Sequence, residues 1–245
     1  MIITCVQPCF IPWLGYFEQM LLGEVFIYLD DVQYTKKDWR NRNRLLSPNG
    51  VKNVFVPISN ASRDILINEA VISYSENWED RLLNQLLNWY KKAPFYSEVI
   101  SLFEPIILSK HDLLVDLNYQ LNQSILDYLE SDTRIERASS VPKSTDSKNE
   151  RVIELCEAFN GTLLYDGKSA ASFIDLGLFK SNEIDVIFQD YQHEPYNQLF
   201  TDSFEPYLSI VDLLMNQGKR AKEIILNNKF SNTILNERRE KVSGL

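Results

Sequence analysis

Two short apolar runs near the start of the chain, IITCV at 2–6 and VFIYL at 25–29, constrain the fold most. Continuous runs rich in β-branched and aromatic residues are read as strands buried on both faces. Between them Trp13, Tyr16, Phe17, Met20 and Leu21 recur at helical spacing and stop at Gly23, a residue suited to ending a helix. Strand, helix, strand in this order is the βαβ pattern, which implies parallel strands joined by a right-handed crossover. Open parallel sheets take their ligands beyond the carboxyl ends of the strands. The segments that leave these two runs, QPCFIPWLGYF at 7–17 and DDVQYTKKDWRNRNR at 30–44, are therefore where function is expected.

The pattern continues along the chain. Strands are expected over 53–58 and 66–74, with Asn49-Gly50 as a turn before the first. Helices follow over 78–91, 96–108 and 113–129, the last headed by Asp112 as a cap. A polar loop over 139–150 leads to a helix over 151–159, a strand over 162–165, a helix over 169–179 and a strand over 185–189. Helices over 208–216 and 220–228 precede polar residues from 231 on. The expected architecture is α/β: a parallel-sheet core of Rossmann-like or nucleotidyltransferase-like type, a helical middle section, and C-terminal helices. It is expected as a single domain over 1–230 with a helical insertion at about 77–130 and a frayed tail at 231–245.

Composition matters for partners. The net charge of −9 weighs against nucleic acid, which usually selects a broad basic surface. The three cysteines, Cys5, Cys9 and Cys156, have no metal-ligand spacing and read as buried free thiols. No stretch of about 18 apolar residues occurs, so no membrane span is expected, and the start of the chain lacks a basic leader. A cytoplasmic protein is expected, with a homo-oligomer left open.

Against that acidic total, Lys36, Lys37, Arg40, Arg42 and Arg44 fall within nine residues, interleaved with Tyr34 and Trp39. Such a cluster can be a solvated face. At a strand edge it also fits a phosphorylated ligand, because guanidinium groups grip phosphate in pairs and an aromatic face takes a base or sugar ring. Lys37, Trp39, Arg40 and Arg42 are the binding candidates here, with Asp30 and Asp31 beside them. The pair can orient the cations or take a proton, with Asp30 counted among the binding candidates and Asp31 as the candidate base. Two adjacent carboxylates define no metal site. In the first loop Pro8 and Pro12 stiffen the backbone; Gln7, Trp13 and Tyr16 are candidates to line a pocket whose opposite wall is 36–44. The two histidines, His111 and His193, are candidates for proton transfer, although a lone histidine is more often structural. Tyr196 and Gln198 give His193 polar company. No P-loop, dinucleotide glycine fingerprint, nucleophile elbow or CxxC occurs, and no cofactor is expected.

The motifs QPCFIPWLGYF, LDDVQYTKKDWRNRNRL, NWYKKAPFY, KHDLLVDLN, LLYDG and YQHEPYNQLFTDSFEPYLSIVDLLMNQG together resemble the WbqC-like protein family, over roughly residues 1–218. LLYDG departs from the pattern, since the resemblance leads one to expect a serine at Asp166. The resemblance implies a role in bacterial O-antigen and surface-polysaccharide biosynthesis. The activity it implies is a transferase adding a glycyl or other acyl group to a nucleotide-linked amino sugar; the alternative is a non-catalytic nucleotide-sugar-binding or assembly protein.

Overall fold

The computed structural model describes residues 1–62, 64–227, 231, 233 and 234. The first βαβ unit forms as the sequence dictates: β1 (Ile2–Val6), α1 (Leu14–Leu22) and β2 (Val25–Tyr28). A hairpin of β3 (Arg42–Ser47) and β4 (Gly50–Phe55) follows, then α2 (Trp78–Tyr90), α3 (Tyr96–Leu108) and α4 (Leu114–Tyr128). The chain returns through β5 (Arg134–Arg137), α5 (Lys148–Ala158), β6 (Leu163–Asp166), α6 (Leu176–Ser181) and β7 (Asp185–Phe188), and continues through α7 (Ile210–Gln217) and α8 (Ala221–Leu226).

Five strands form one parallel sheet in the order β5-β2-β1-β6-β7, with helices around it. This is the α/β parallel-sheet core expected, in a doubly wound strand order. The order reverses between β1 and β6, and that switch point is where such sheets bind ligands. On one face Ile3, Cys5, Val25 and Ile27 pack against Val152 and Leu155 of α5 and Phe179 of α6. On the other, Phe26 and Tyr28 pack against Phe17 of α1 and Leu117 and Leu121 of α4. Burying each such side chain contributes about 1.5–3 kcal/mol, which is why the two apolar runs fix the sheet. No helix of the described residues is long and apolar enough to cross a membrane.

The differences from expectation have local causes. Residues 66–74 are not a strand: Ile67–Glu69 is a 3₁₀ turn, and Val71 and Ile72 make only isolated bridges. Ile67 and Ala70 are fully buried three residues apart, the repeat of a 3₁₀ turn, and the Asn68 amide donates to the Asp30 carbonyl. The end of the basic segment is not loop but β3. Asn43 points inward while Arg42 and Arg44 point out, and the hairpin closes at Gly50, whose φ of 84° favours glycine. The helix expected over 169–179 splits into a 3₁₀ turn, Lys168–Ser172, and α6, because Asp175 caps α6 through the Gly177 and Leu178 amides. Asp112 does not cap α4; Leu113 holds that position. β5, an edge strand with only Ile135 deeply buried, was not expected. The tail expected over 231–245 lies, apart from 231, 233 and 234, outside the described residues.

Candidate functional site

The 7–13 segment and the basic segment touch directly instead of facing each other across a gap. The Phe10 amide donates to the Trp39 carbonyl (3.1 Å), Asn43 Nδ2 donates to the Phe10 carbonyl (3.1 Å), and Arg40 Nη1 donates to Cys9 Sγ (3.1 Å). Ser209 adds a third segment: its Oγ donates to the Ile11 carbonyl and its amide to the Arg44 carbonyl. The stiff first loop is thus a buried strut, with Pro8 to Pro12 all buried, and it supports one continuous wall at the carboxyl edge of the sheet.

On that wall sits a cluster of rings. Trp13, at the N-terminal end of α1, packs its indole against Tyr191, His193 and Tyr207, with centroids at 5.6, 5.5 and 5.8 Å. His193 lies 4.6 Å from Tyr207 and 6.1 Å from Phe204. The indole needs Gly15, because a Cβ there would lie 2.3 Å from the Trp13 ring. Arg44 joins this cluster to the basic one: its Nη2 donates to the Tyr207 carbonyl (2.8 Å), and its guanidinium and that of Arg42 lie over the Trp39 ring at 5.9 and 5.5 Å. Trp39, Arg44, Tyr207, His193 and Trp13 therefore form one unbroken track, open at Trp39 (43% exposed) and Tyr207 (56% exposed). Tyr207 holds a φ of 60°, a strained conformation for a tyrosine. Among the described residues neither ring nitrogen of His193 meets a hydrogen-bond partner. Burial pushes its pKa down to about 4, so the imidazole is neutral at pH 7.

Tyr196 and Gln198 support the track from behind. The Tyr196 hydroxyl and Gln198 Nε2 donate to Asp212 Oδ2 (2.8 and 3.0 Å), and the Tyr90 hydroxyl donates to Asp212 Oδ1 (2.8 Å). Burial pushes the Asp212 carboxyl up, and these donors offset part of that. Gln198 also exchanges two hydrogen bonds with the Glu205 backbone, which pins the segment between His193 and Tyr207. Further along α1, the fully buried Glu18 accepts from Tyr165, Gln189 and Ser231.

The other candidates divide. Gln7 lies at the end of β1; its carbonyl accepts from the Tyr16 hydroxyl (3.2 Å), while its own Oε1 is buried with no partner among the described residues. Tyr16 is 4% exposed and belongs to the core. Arg40 pairs with Asp38 (3.3 Å), and Lys37 is exposed with φ 58°. Asp30 is fully buried and accepts from the Ser139 amide and hydroxyl, a structural arrangement. Asp31 is bound by Arg151 at 2.9 Å. His111 contacts Ser109 Oγ and the Ile106 carbonyl at the end of α3, and none of these contacts touches the ring cluster. Three rings of the cluster, Tyr191, Phe204 and Tyr207, were not singled out in the sequence. The Tyr191-x-His193 alternation after a strand signals the first, whereas the other two are brought there only by the fold.

Asp166 ends β6 beside the switch point. Its Oδ1 accepts from the Gly167 amide (2.6 Å), and burial pushes its pKa up to about 6.

The model of the WbqC-like protein family matches residues 7–224. An uncharacterized protein of Mycobacterium tuberculosis, Rv1507c, is 35% identical over 226 residues, covering 91% of this chain and 96% of the relative. No solved structure matches. The match spans the first loop, the basic segment, the helical middle section and the His193–Tyr207 segment alike, so the chain belongs to the WbqC-like protein family.

Proposed function

We propose that the protein is a transferase of surface-polysaccharide (O-antigen) biosynthesis that moves an acyl or aminoacyl group onto a nucleotide-linked amino sugar. Family membership supports the polysaccharide role. The observation that carries the substrate class is the unbroken track of guanidinium groups and rings at the carboxyl edge of the sheet. In this reading Arg42 and Arg44 hold the diphosphate and Trp39 and Tyr207 take the base or a sugar ring. His193 meets the polar edge of the sugar as a neutral donor and acceptor. Arg40, Gln7 and Trp13 shape the inner wall.

The test is a thermal shift with UDP- and dTDP-linked sugars. At a hundredfold excess over Kd a ligand stabilises by about 2.7 kcal/mol, a rise of about 5–10 °C in Tm for a chain of this size. No shift with any of them would sink the reading. Gln7→Ala is expected to weaken that binding at least about fivefold with Tm of the free protein nearly unchanged, since its Oε1 makes no internal bond to lose.

One observation favours the non-catalytic alternative. An imidazole with a pKa near 4 is a weak proton acceptor at neutral pH. If His193→Ala retains both ligand binding and pathway function, the protein is a binding or assembly component and not the transferase.

A further inference from the structure

The hairpin face that carries Arg42 and Arg44 continues beyond Trp39. Arg42 on β3 pairs directly with Phe55 on β4, and residues directly opposed in a hairpin point to the same face. Phe55 is 45% exposed. Arg81 of α2 lies against it, with the guanidinium carbon 4.7 Å from the ring centroid. The pairing of Arg81 with Glu76, at 3.4 Å between exposed side chains, holds it weakly. Arg42 therefore stands between two exposed rings, with its guanidinium over Trp39 and its backbone beside Phe55. The arginines of this face are incompletely satisfied. Arg42 Nε, Arg44 Nε and Arg81 Nη2 are each buried without a hydrogen-bond partner among the described residues. Arg151, which joins segments of the fold, instead donates from Nε, Nη1 and Nη2 alike. Three guanidinium groups with idle donors, on one face of a chain whose net charge is −9, call for an anion with several acceptor oxygens. The two ends of the face differ. Beyond Arg44 lie the Tyr207 ring and the neutral imidazole of His193, which suit the hydroxyl groups of a sugar. Beside Arg42 lies a flat exposed ring with a guanidinium against it, which suits a flat heterocycle that stacks and offers carbonyl oxygens.

We infer that Phe55 and Arg81 form the nucleobase subsite, the base stacking on the Phe55 ring while Arg81 donates to its carbonyl oxygens. The inference rests on the nucleotide-sugar reading and gives the ligand a direction: base at Phe55, diphosphate at Arg42 and Arg44, sugar at Tyr207 and His193. The base goes to Phe55 and not to Trp39 because two guanidinium groups, those of Arg42 and Arg44, already lie over the Trp39 ring. Trp39 then backs the two forks that hold the phosphates and borders the ribose. Each fork brings its idle donor to the ligand by turning toward it, which the long, unbranched arginine stem allows.

The experiment is calorimetric titration of the full chain with UDP-glucose, dTDP-glucose and inorganic pyrophosphate, for the wild type, Phe55→Ala, Phe55→Trp and Arg81→Ala, with Tm recorded for each. For whichever nucleotide sugar binds, Phe55→Ala is expected to weaken it about 5- to 100-fold, the range for one base stacked on one ring, and to leave pyrophosphate within about twofold. Phe55→Trp is expected to keep or strengthen nucleotide binding, because a larger ring stacks as well. Arg81→Ala is expected to weaken the nucleotide sugar and spare pyrophosphate. A nucleotide affinity of Phe55→Ala within about twofold of wild type, or an equal loss toward pyrophosphate, overturns the inference and leaves nucleotide-sugar binding standing. A wild type that binds pyrophosphate as tightly as the nucleotide sugar overturns it in the same way. If the wild type binds neither nucleotide sugar, the nucleotide-sugar reading falls and this inference falls with it.

Discussion

Arg151→Ala is expected to destabilise the protein by about 3–5 kcal/mol, the range seen when one partner of a buried ion pair is removed. Arg151 is 6% exposed. Its Nη2 donates to Asp31 Oδ2 (2.9 Å) and to the Ala138 (2.7 Å) and Val141 (2.9 Å) carbonyls, and its Nη1 donates to the Pro142 carbonyl (2.9 Å) and Glu154 (3.1 Å). One guanidinium therefore joins the segment after β2, the segment after β5, and α5. Alanine leaves the Asp31 carboxylate uncompensated and the carbonyls without their donor. Tm should fall by roughly 6–20 °C, and urea unfolding followed by circular dichroism measures the loss directly. Arg151→Lys is expected to fall between, since an ammonium keeps the charge but cannot reproduce the planar fork. A loss below about 1 kcal/mol for Arg151→Ala would show that the junction holds without it.

The double variant Arg42→Ala/Arg44→Ala is expected to weaken binding of a nucleotide-linked sugar at least about 100-fold. Each guanidinium would supply charge-assisted bonds to phosphate worth about 1.5–3 kcal/mol. Arg44 also holds the Tyr207 carbonyl, so the variant releases the ring that covers His193. The cost to folding should stay near 1 kcal/mol, because the Arg44–Tyr207 bond is exposed and both guanidiniums lie on the outer face of β3. Calorimetry gives the affinity and a melting curve gives the stability. An affinity within threefold of wild type would remove the phosphate role from these residues. Equal weakening toward free phosphate and toward the whole ligand would assign them the phosphate alone.

The sheet was legible because its central strands are buried on both faces and their composition carries no other reading. The three middle helices were legible for the same reason, each having a one-sided apolar stripe, such as Trp78, Leu82, Leu86 and Tyr90 on α2. β3 and β5 were not, since Arg-Asn-Arg and Arg-Ile-Glu-Arg place one buried residue among charges, which is also how a loop reads. In the site, the guanidiniums and Trp13 could be read from their place beyond strand ends. The pairing of Arg44 with Tyr207 could not, because it joins residues far apart in sequence through a backbone carbonyl, which no side-chain pattern records. Tyr196 and Gln198 were read as company for His193, yet their partner is Asp212, whose burial on α7 appears only when α7 packs against the hairpin.

The position of β1 at the centre of the sheet sets a timetable for synthesis. Val25 of β2 comes to lie beside Ile3 soon after both leave the ribosome, but Ile2 pairs with Leu163, about 160 residues later. At about 5–20 residues per second the inner edge of β1 waits roughly 8–30 s for its second neighbour. During that interval an unpaired, largely apolar strand edge is available to other chains. Nascent copies of this protein are therefore most prone to aggregate before β6 emerges, and a chaperone that binds the first thirty residues would act where the need is greatest.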